Sequence, residues 1–132
     1  MGKYVNLQDD IFSVFSKPQW IAEGIKTIPV NFAITTNEYI RINCVASDSS
    51  VNKTSVRGLL MIDIFTEAGK GPKRSNVISD KLDTYLQFKS ISTVQGNVTQ
   101  FQNSTLNVGK IDSDNPSLFR VTYQITFNFY GV

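Results

Sequence analysis

The sequence predicts an α+β fold: one mainly antiparallel mixed sheet flanked by a short N-terminal helix and one longer central helix, within a single domain over residues 1–132. Three observations carry this expectation. Phe119–Phe129 alternates apolar and polar side chains without a break, the period of a strand with one buried face. Ser55–Thr66 is apolar on both alternating sets, the pattern of a strand covered on both sides. Leu7–Phe15 and Ser75–Leu86 instead space their apolar residues by three and four, as amphipathic helices do. Helix, strands, helix, strands, with no repeat and no composition break, is an α+β layout.

The first helix buries Leu7, Ile11, Val14 and Phe15. Asn6 is its expected N-cap, and Asp9 and Asp10 fall in the first turn, where the helix dipole favours negative charge. Lys17-Pro18 ends it, because the residue before proline is pushed out of helical geometry. Between Gln19 and Thr36, Gly24 and Pro29 interrupt any long helix, leaving a turn or short strand near Ile25–Ile28 and then a loop. Tyr39–Ala46 reads as a strand with Ile40, Ile42 and Cys44 on one face and Tyr39, Arg41 and Asn43 on the other. Cys44 is thus expected as a buried, inert thiol. Asp48–Lys53 is polar and reads as the tip of a long hairpin.

The next strand is the longest. One face carries Val56, Leu60, Ile62 and Ile64; the other carries Leu59, Met61 and Phe65, with Asp63 among them. A helix covers one face, and the other needs a second layer or another subunit. Asp63, the sole charge on that second face, is expected at a rim or edge with a basic partner. Glu67–Ser75 is a loop broken by Gly69, Gly71 and Pro72. The central helix follows, with Ile78, Leu82, Tyr85 and Leu86 inward. Ile91–Ile111 reads as two weak strands, and Asn115-Pro116 marks a turn before the terminal strand.

Composition narrows the chemistry. The chain has no His and one Cys, so the commonest general base, intrachain disulfides and cysteine-zinc clusters are out of reach. A net charge of +2 is smaller than a dedicated nucleic-acid binder shows. No apolar run approaches a membrane span, and Met1–Asn6 lacks both a signal-peptide core and a myristoylation pattern. The expectation is a reducing cytoplasm with Cys44 as a free thiol. The sequons at Asn52, Asn97 and Asn103 are then chance matches in an Asn-, Ser- and Thr-rich chain.

Candidate motifs fail one by one. Gly69–Ser75 has glycines, three cations and a helix start, yet it lacks the P-loop spacing. It reads better as a solvated basic loop or one that docks to an acidic partner. Asp112–Asn115 begins like a calcium loop, but Ser117 stands where glycine is required and no Glu follows. Serines have no histidine and no Gly-x-Ser-x-Gly elbow. The aromatic residues of the terminal strand alternate too strictly to be a base-stacking platform and belong to the core. No enzyme activity, no cofactor and no metal site is expected.

Four features together resemble a known family. They are the strand Val56–Phe65 followed at once by a Gly/Pro loop, the helix Ser75–Leu86, the aromatic strand Phe119–Tyr130, and the N-terminal helix with Pro29-Val30-Asn31-Phe32 ahead of Tyr39-Ile40-Arg41-Ile42. In order and length these resemble the tail terminator proteins of long-tailed bacteriophages, the lambda-type minor tail proteins. The resemblance implies a virion structural protein, assembled in the host bacterial cytoplasm. It forms a ring, usually hexameric, at the head-proximal end of the tail tube. The ring stops polymerisation of the major tail tube protein and offers a surface to the head-completion or connector protein. DNA passes through its lumen without specific binding.

The corresponding contacts to a neighbouring subunit or the tube are expected on two surfaces. One is the second face of the long strand, Leu59, Met61, Asp63 and Phe65. The other is a pair of polar loops, with Asp48, Asn52 and Lys53 in the first and Lys70, Lys73 and Arg74 in the second. The three cations of the second loop would pair with acids on a neighbour. A related neck or tail-completion protein fits the same pattern. A β module binding nucleic acid or oligosaccharide is a different alternative, testable by heparin retention through Lys53, Arg57, Lys70, Lys73 and Arg74.

Overall fold

The computed structural model describes residues 2–30, 38–49, 54–92, 96–107 and 109–131. In chain order its elements are α1 (Lys3–Phe15), α2 (Pro18–Ala22), β1 (Thr27–Pro29), β2 (Tyr39–Ser49), β3 (Val56–Glu67), α3 (Lys73–Leu86), β4 (Ser90–Ser92), β5 (Val98–Leu106), β6 (Lys110–Ile111) and β7 (Leu118–Tyr130). One sheet runs β1-β2-β3-β7-β5-β4, with β6 also paired to β7. Only β1 runs parallel to its neighbour. The expected mixed, mainly antiparallel α+β sheet is therefore present. The two principal helices are nearly equal, 13 and 14 residues.

All three helices pack on one face of the sheet. Leu7, Ile11 and Val14 from α1, Trp20 from α2, and Ile78, Leu82 and Leu86 from α3 meet Ile40, Ile42, Leu60, Ile62, Ile64, Tyr123, Ile125, Phe127 and Phe129 in one continuous core. The strict alternation in β7 sends its apolar set inward, as its period requires.

Several sequence expectations shift. α1 begins at Lys3 with Gly2 as its cap, and the Asn6 N–H already donates to the Gly2 carbonyl at 3.1 Å, so Asn6 is inside the helix. Asp9 and Asp10 thus lie past the first turn, and Asp10 is buried. The short α2 was hidden between Pro18 and Gly24. Proline opens it, and Trp20 anchors it edge-on between the rings of Phe15 and Tyr85, both 5.3 Å away. The indole N–H of Trp20 donates to Thr27 Oγ1 at 2.9 Å, which ties α2 to β1.

Asp48 stands within β2, in register with Arg57, rather than at a hairpin tip. Asn52 and Lys53 lie outside the described residues. α3 starts at Lys73, so Lys73 and Arg74 belong to its first turn rather than to the loop. β3 is central, flanked by β2 and β7, so Asp63 is not at a sheet edge; its basic partner is Arg120 on β7. Cys44 is half-buried, and burial pushes its thiol up to about 11, which keeps it protonated at neutral pH.

Candidate functional site

Among the described residues, no helix packs on the second face of the sheet. The ladder sets its side chains in rows across β2, β3 and β7. Tyr39, Phe65 and Arg120 form one row, followed by Arg41, Asp63 and Thr122, then Asn43, Met61 and Gln124, then Val45, Leu59 and Thr126. Arg57 and Asn128 continue the sequence on β3 and β7.

The two ends of this face differ. At one end Tyr39 and Phe65 stack at 4.5 Å and join Ile28 and Leu118 in a small separate cluster. Phe65 is only 2% exposed, so it cannot serve as a contact residue in the way the sequence suggested. Arg41 lies over both rings, 5.6 Å from Tyr39 and 5.5 Å from Phe65, and Arg120 lies 5.9 Å from Phe65. Asp63 accepts hydrogen bonds from Arg120 Nη2 at 3.0 Å and Thr122 Oγ1 at 2.8 Å. The buried Nε of Arg41 has no hydrogen-bond partner. At the other end Leu59 and Met61 are half-buried and Val45 is exposed. Around them stand Asn43, Gln124, Thr126, Asn128 and Arg57, with Arg57 Nε donating to Asn128 Oδ1 at 3.3 Å.

This arrangement holds no nucleophile paired with a base. It offers an apolar centre inside a rim of amides, hydroxyls and arginines, the anatomy of a protein–protein contact. Leu59, Met61 and Asp63 are brought together here as the sequence proposed.

The basic loop is partly spoken for. Arg74 Nε and Nη2 fork onto Glu38 at 2.7 and 3.1 Å, and this contact raises the Arg74 pKa further. Arg74 is thus satisfied within its own chain rather than by a neighbour. Lys70 and Lys73 are exposed. Gly69 and Gly71 adopt φ of 83° and 81°, which explains why glycines punctuate this turn. The cleft beside them mixes Glu38 and Glu67 with Lys70 and Arg74.

Two polar contacts under the helices carried no local signal. Tyr123 OH and Ser104 Oγ both meet Asp83 Oδ1, at 2.5 and 2.6 Å, and pin α3 to β7 and β5. Burial, followed by the Asp83 hydrogen bond, raises the Tyr123 pKa. Ser104 also meets Gln87, at the irregular register between Phe101 and Ser104. The second contact is Asp10, whose carboxylate is reached by the buried Thr99 hydroxyl at 3.3 Å.

Burial raises the Asp10 pKa; the Thr99 hydrogen bond lowers it, and the charge of Asp9 raises it. With the folded value above the unfolded one, the folded state binds the proton more tightly. That contribution is complete below the ordinary carboxylate range and is lost as pH rises through the raised value. Asp10→Asn is therefore expected to be more stable than wild type at pH 7, with the gap closing towards pH 4. Urea melts at both pH values test this; a gap that widens on acidification contradicts it.

Among the described residues no three His, Cys, Asp or Glu side chains converge as a metal site would require, and no helix is long and apolar enough to cross a membrane. No family profile and no curated protein matches this sequence. A solved structure superposes on the chain with a TM-score of 0.69 at 14% identity, covering 95% of this chain and 96% of the other, a likeness that establishes the fold alone.

Proposed function

We propose that this chain is a tail terminator: a virion structural protein that closes the head-proximal end of a phage tail tube as a ring, without catalysis. The carrying observation is the sheet face on which no helix packs among the described residues, with Leu59, Met61 and Val45 exposed or half-buried inside a polar rim. Leaving such a face in water costs about 25 cal/mol for each Å² of apolar surface that a partner would cover. The α+β fold agrees with the family that the sequence resembles.

In this reading the action is geometric. One side of the ring copies the tube protein's docking surface and binds the last tube layer. The other side does not copy it, so growth stops and the head-completion or connector protein finds its seat. DNA passes through the lumen. The near-balanced net charge of +2 suits a passage in which DNA slides. The ring belongs in the virion tail and is built in the host cytoplasm.

The test is native mass across a concentration series, followed by addition to polymerising cognate tube protein. A ring species and tubes of limited length are expected. Leu59→Glu combined with Met61→Glu should release tube growth while leaving the fold intact. A wild-type chain that neither assembles nor limits tube length overturns the proposal.

A further inference from the structure

The chain has four arginines, and three are engaged within it. Arg57 donates to Asn128, Arg74 forks onto Glu38, and Arg120 pairs with Asp63. Arg41 differs. Among the described residues its guanidinium makes no hydrogen bond and no ion pair, and its Nε is buried without a partner. A buried donor left unsatisfied costs stability, and more so when it carries charge.

Arg41 is nevertheless held in place. Its guanidinium lies 5.6 Å from the centre of the Tyr39 ring and 5.5 Å from that of Phe65. Those rings stack on each other at 4.5 Å, and both are buried. Stacking of this kind fixes the direction of the guanidinium before a ligand arrives, so less side-chain entropy is lost on binding.

The nearest acid is already committed. Asp63 stands directly across from Arg41 in the β2–β3 ladder. It accepts instead from Arg120 Nη2 and Thr122 Oγ1 on the β7 side. One carboxylate therefore serves two guanidiniums, and Lys110 stands level with Arg120. Glu67 is farther along β3, about 13 Å from Asp63 at the rise of a strand, and forms no ion pair with any of these cations. This end of the open face carries surplus positive charge.

The rest of the face indicates what kind of partner fits. Half-buried Met61 lies one row from Arg41 and Asp63, about 7 Å away, and Leu59 lies one row beyond it. A nucleic-acid backbone calls for a run of free cations, not one guanidinium opposite a carboxylate and beside apolar side chains. A protein segment with an acidic residue next to an apolar one matches both halves of the face.

We infer that the protein covering this face presents an Asp or Glu carboxylate to Arg41, with an apolar side chain about 7–14 Å away against Met61 and Leu59. The inference rests on the terminator reading for the partner, which is then the tail tube protein. The carboxylate accepts from the terminal Nη groups, because Nε is buried. Arg41 sets the orientation of the partner, and the apolar pair supplies the area.

The test mixes the full chain with preassembled cognate tubes and reads the bound fraction by sedimentation. Arg41→Gln should weaken binding at least about tenfold with an unchanged near-ultraviolet circular dichroism spectrum. Lys17→Gln, an exposed cation between α1 and α2 on the helix side, should bind as wild type does. Arg41→Lys keeps the charge and introduces a primary amine. A water-soluble carbodiimide should condense that amine with an Asp or Glu of the tube protein, the carbodiimide taking up the water as a urea, and peptide mass spectrometry locates the amide. Tube binding by a folded Arg41→Gln at the wild-type level overturns the inference, as does an Arg41→Lys protein that binds tubes yet couples to no tube carboxylate. The coupling result decides alone where Arg41→Gln proves unfolded. Loss of DNA binding in Arg41→Gln with tube binding intact would make the ligand a polyanion and also overturns it. In each of these cases the terminator reading stands. A wild type that neither binds tubes nor limits their length brings down both.

Discussion

Phe127→Ala is expected to destabilise the protein by about 4 kcal/mol, while Thr126→Ala beside it costs less than about 1 kcal/mol. Phe127 is fully buried, packs 6.4 Å from Phe101 and is paired on both sides, with Gly58 of β3 and Phe101 of β5. Removing its ring opens a cavity that two flanking strands cannot close, because each is held in register on its far side. Thr126 points the other way and is exposed; its hydroxyl donates to Gln102 across the open face. Chemical denaturation of the two variants reads the difference directly. Equal losses would mean that the faces of β7 are wrongly assigned.

Gly58→Ala is expected to cost about 3 kcal/mol, a fall in Tm on the order of 10 °C for a chain this long. A Cβ at position 58 would sit 2.3 Å from the Val45 carbonyl oxygen and 2.9 Å from the Phe127 ring. The obstacle is backbone of a paired strand, so no side-chain rotation relieves it. β2 shifts register just there, between Ala46 and Asp48, and the missing side chain lets its backbone approach β3. Gly2→Ala, where nothing lies within 4 Å, is the control. A Gly58→Ala protein within about 1 kcal/mol of wild type would show that the close approach is not required.

These two effects mark how far local pattern reaches. β3, β7 and the inward faces of α1 and α3 follow from period alone, because burial imposes a repeat of two on strands and of about 3.6 on helices. Leu59, Met61 and Asp63 on one face follow from the same arithmetic. Phe65 shares their parity and yet is buried, because Tyr39, Ile28 and Leu118 come to it from other parts of the chain. Arg74 looked available for a neighbour, but Glu38, thirty-six positions away, already holds it. Asp10 looked like a dipole partner, but α1 starts earlier than its apolar stripe suggests, and the helix turns Asp10 towards Thr99.

Composition and spacing by themselves determined the α+β class, the two amphipathic helices and the two long strands. They also determined that one strand carries an apolar surface which a single helical layer cannot cover. Those properties are local sums of burial along the chain, so they survive without knowledge of the partners. Only the tertiary structure decided that all three helices lie on the same side, that β3 is central, and which apolar residues remain exposed. Each of these depends on pairing between residues tens of positions apart, and a hydrogen-bond ladder or an ion pair of that reach leaves no periodicity in the sequence to read.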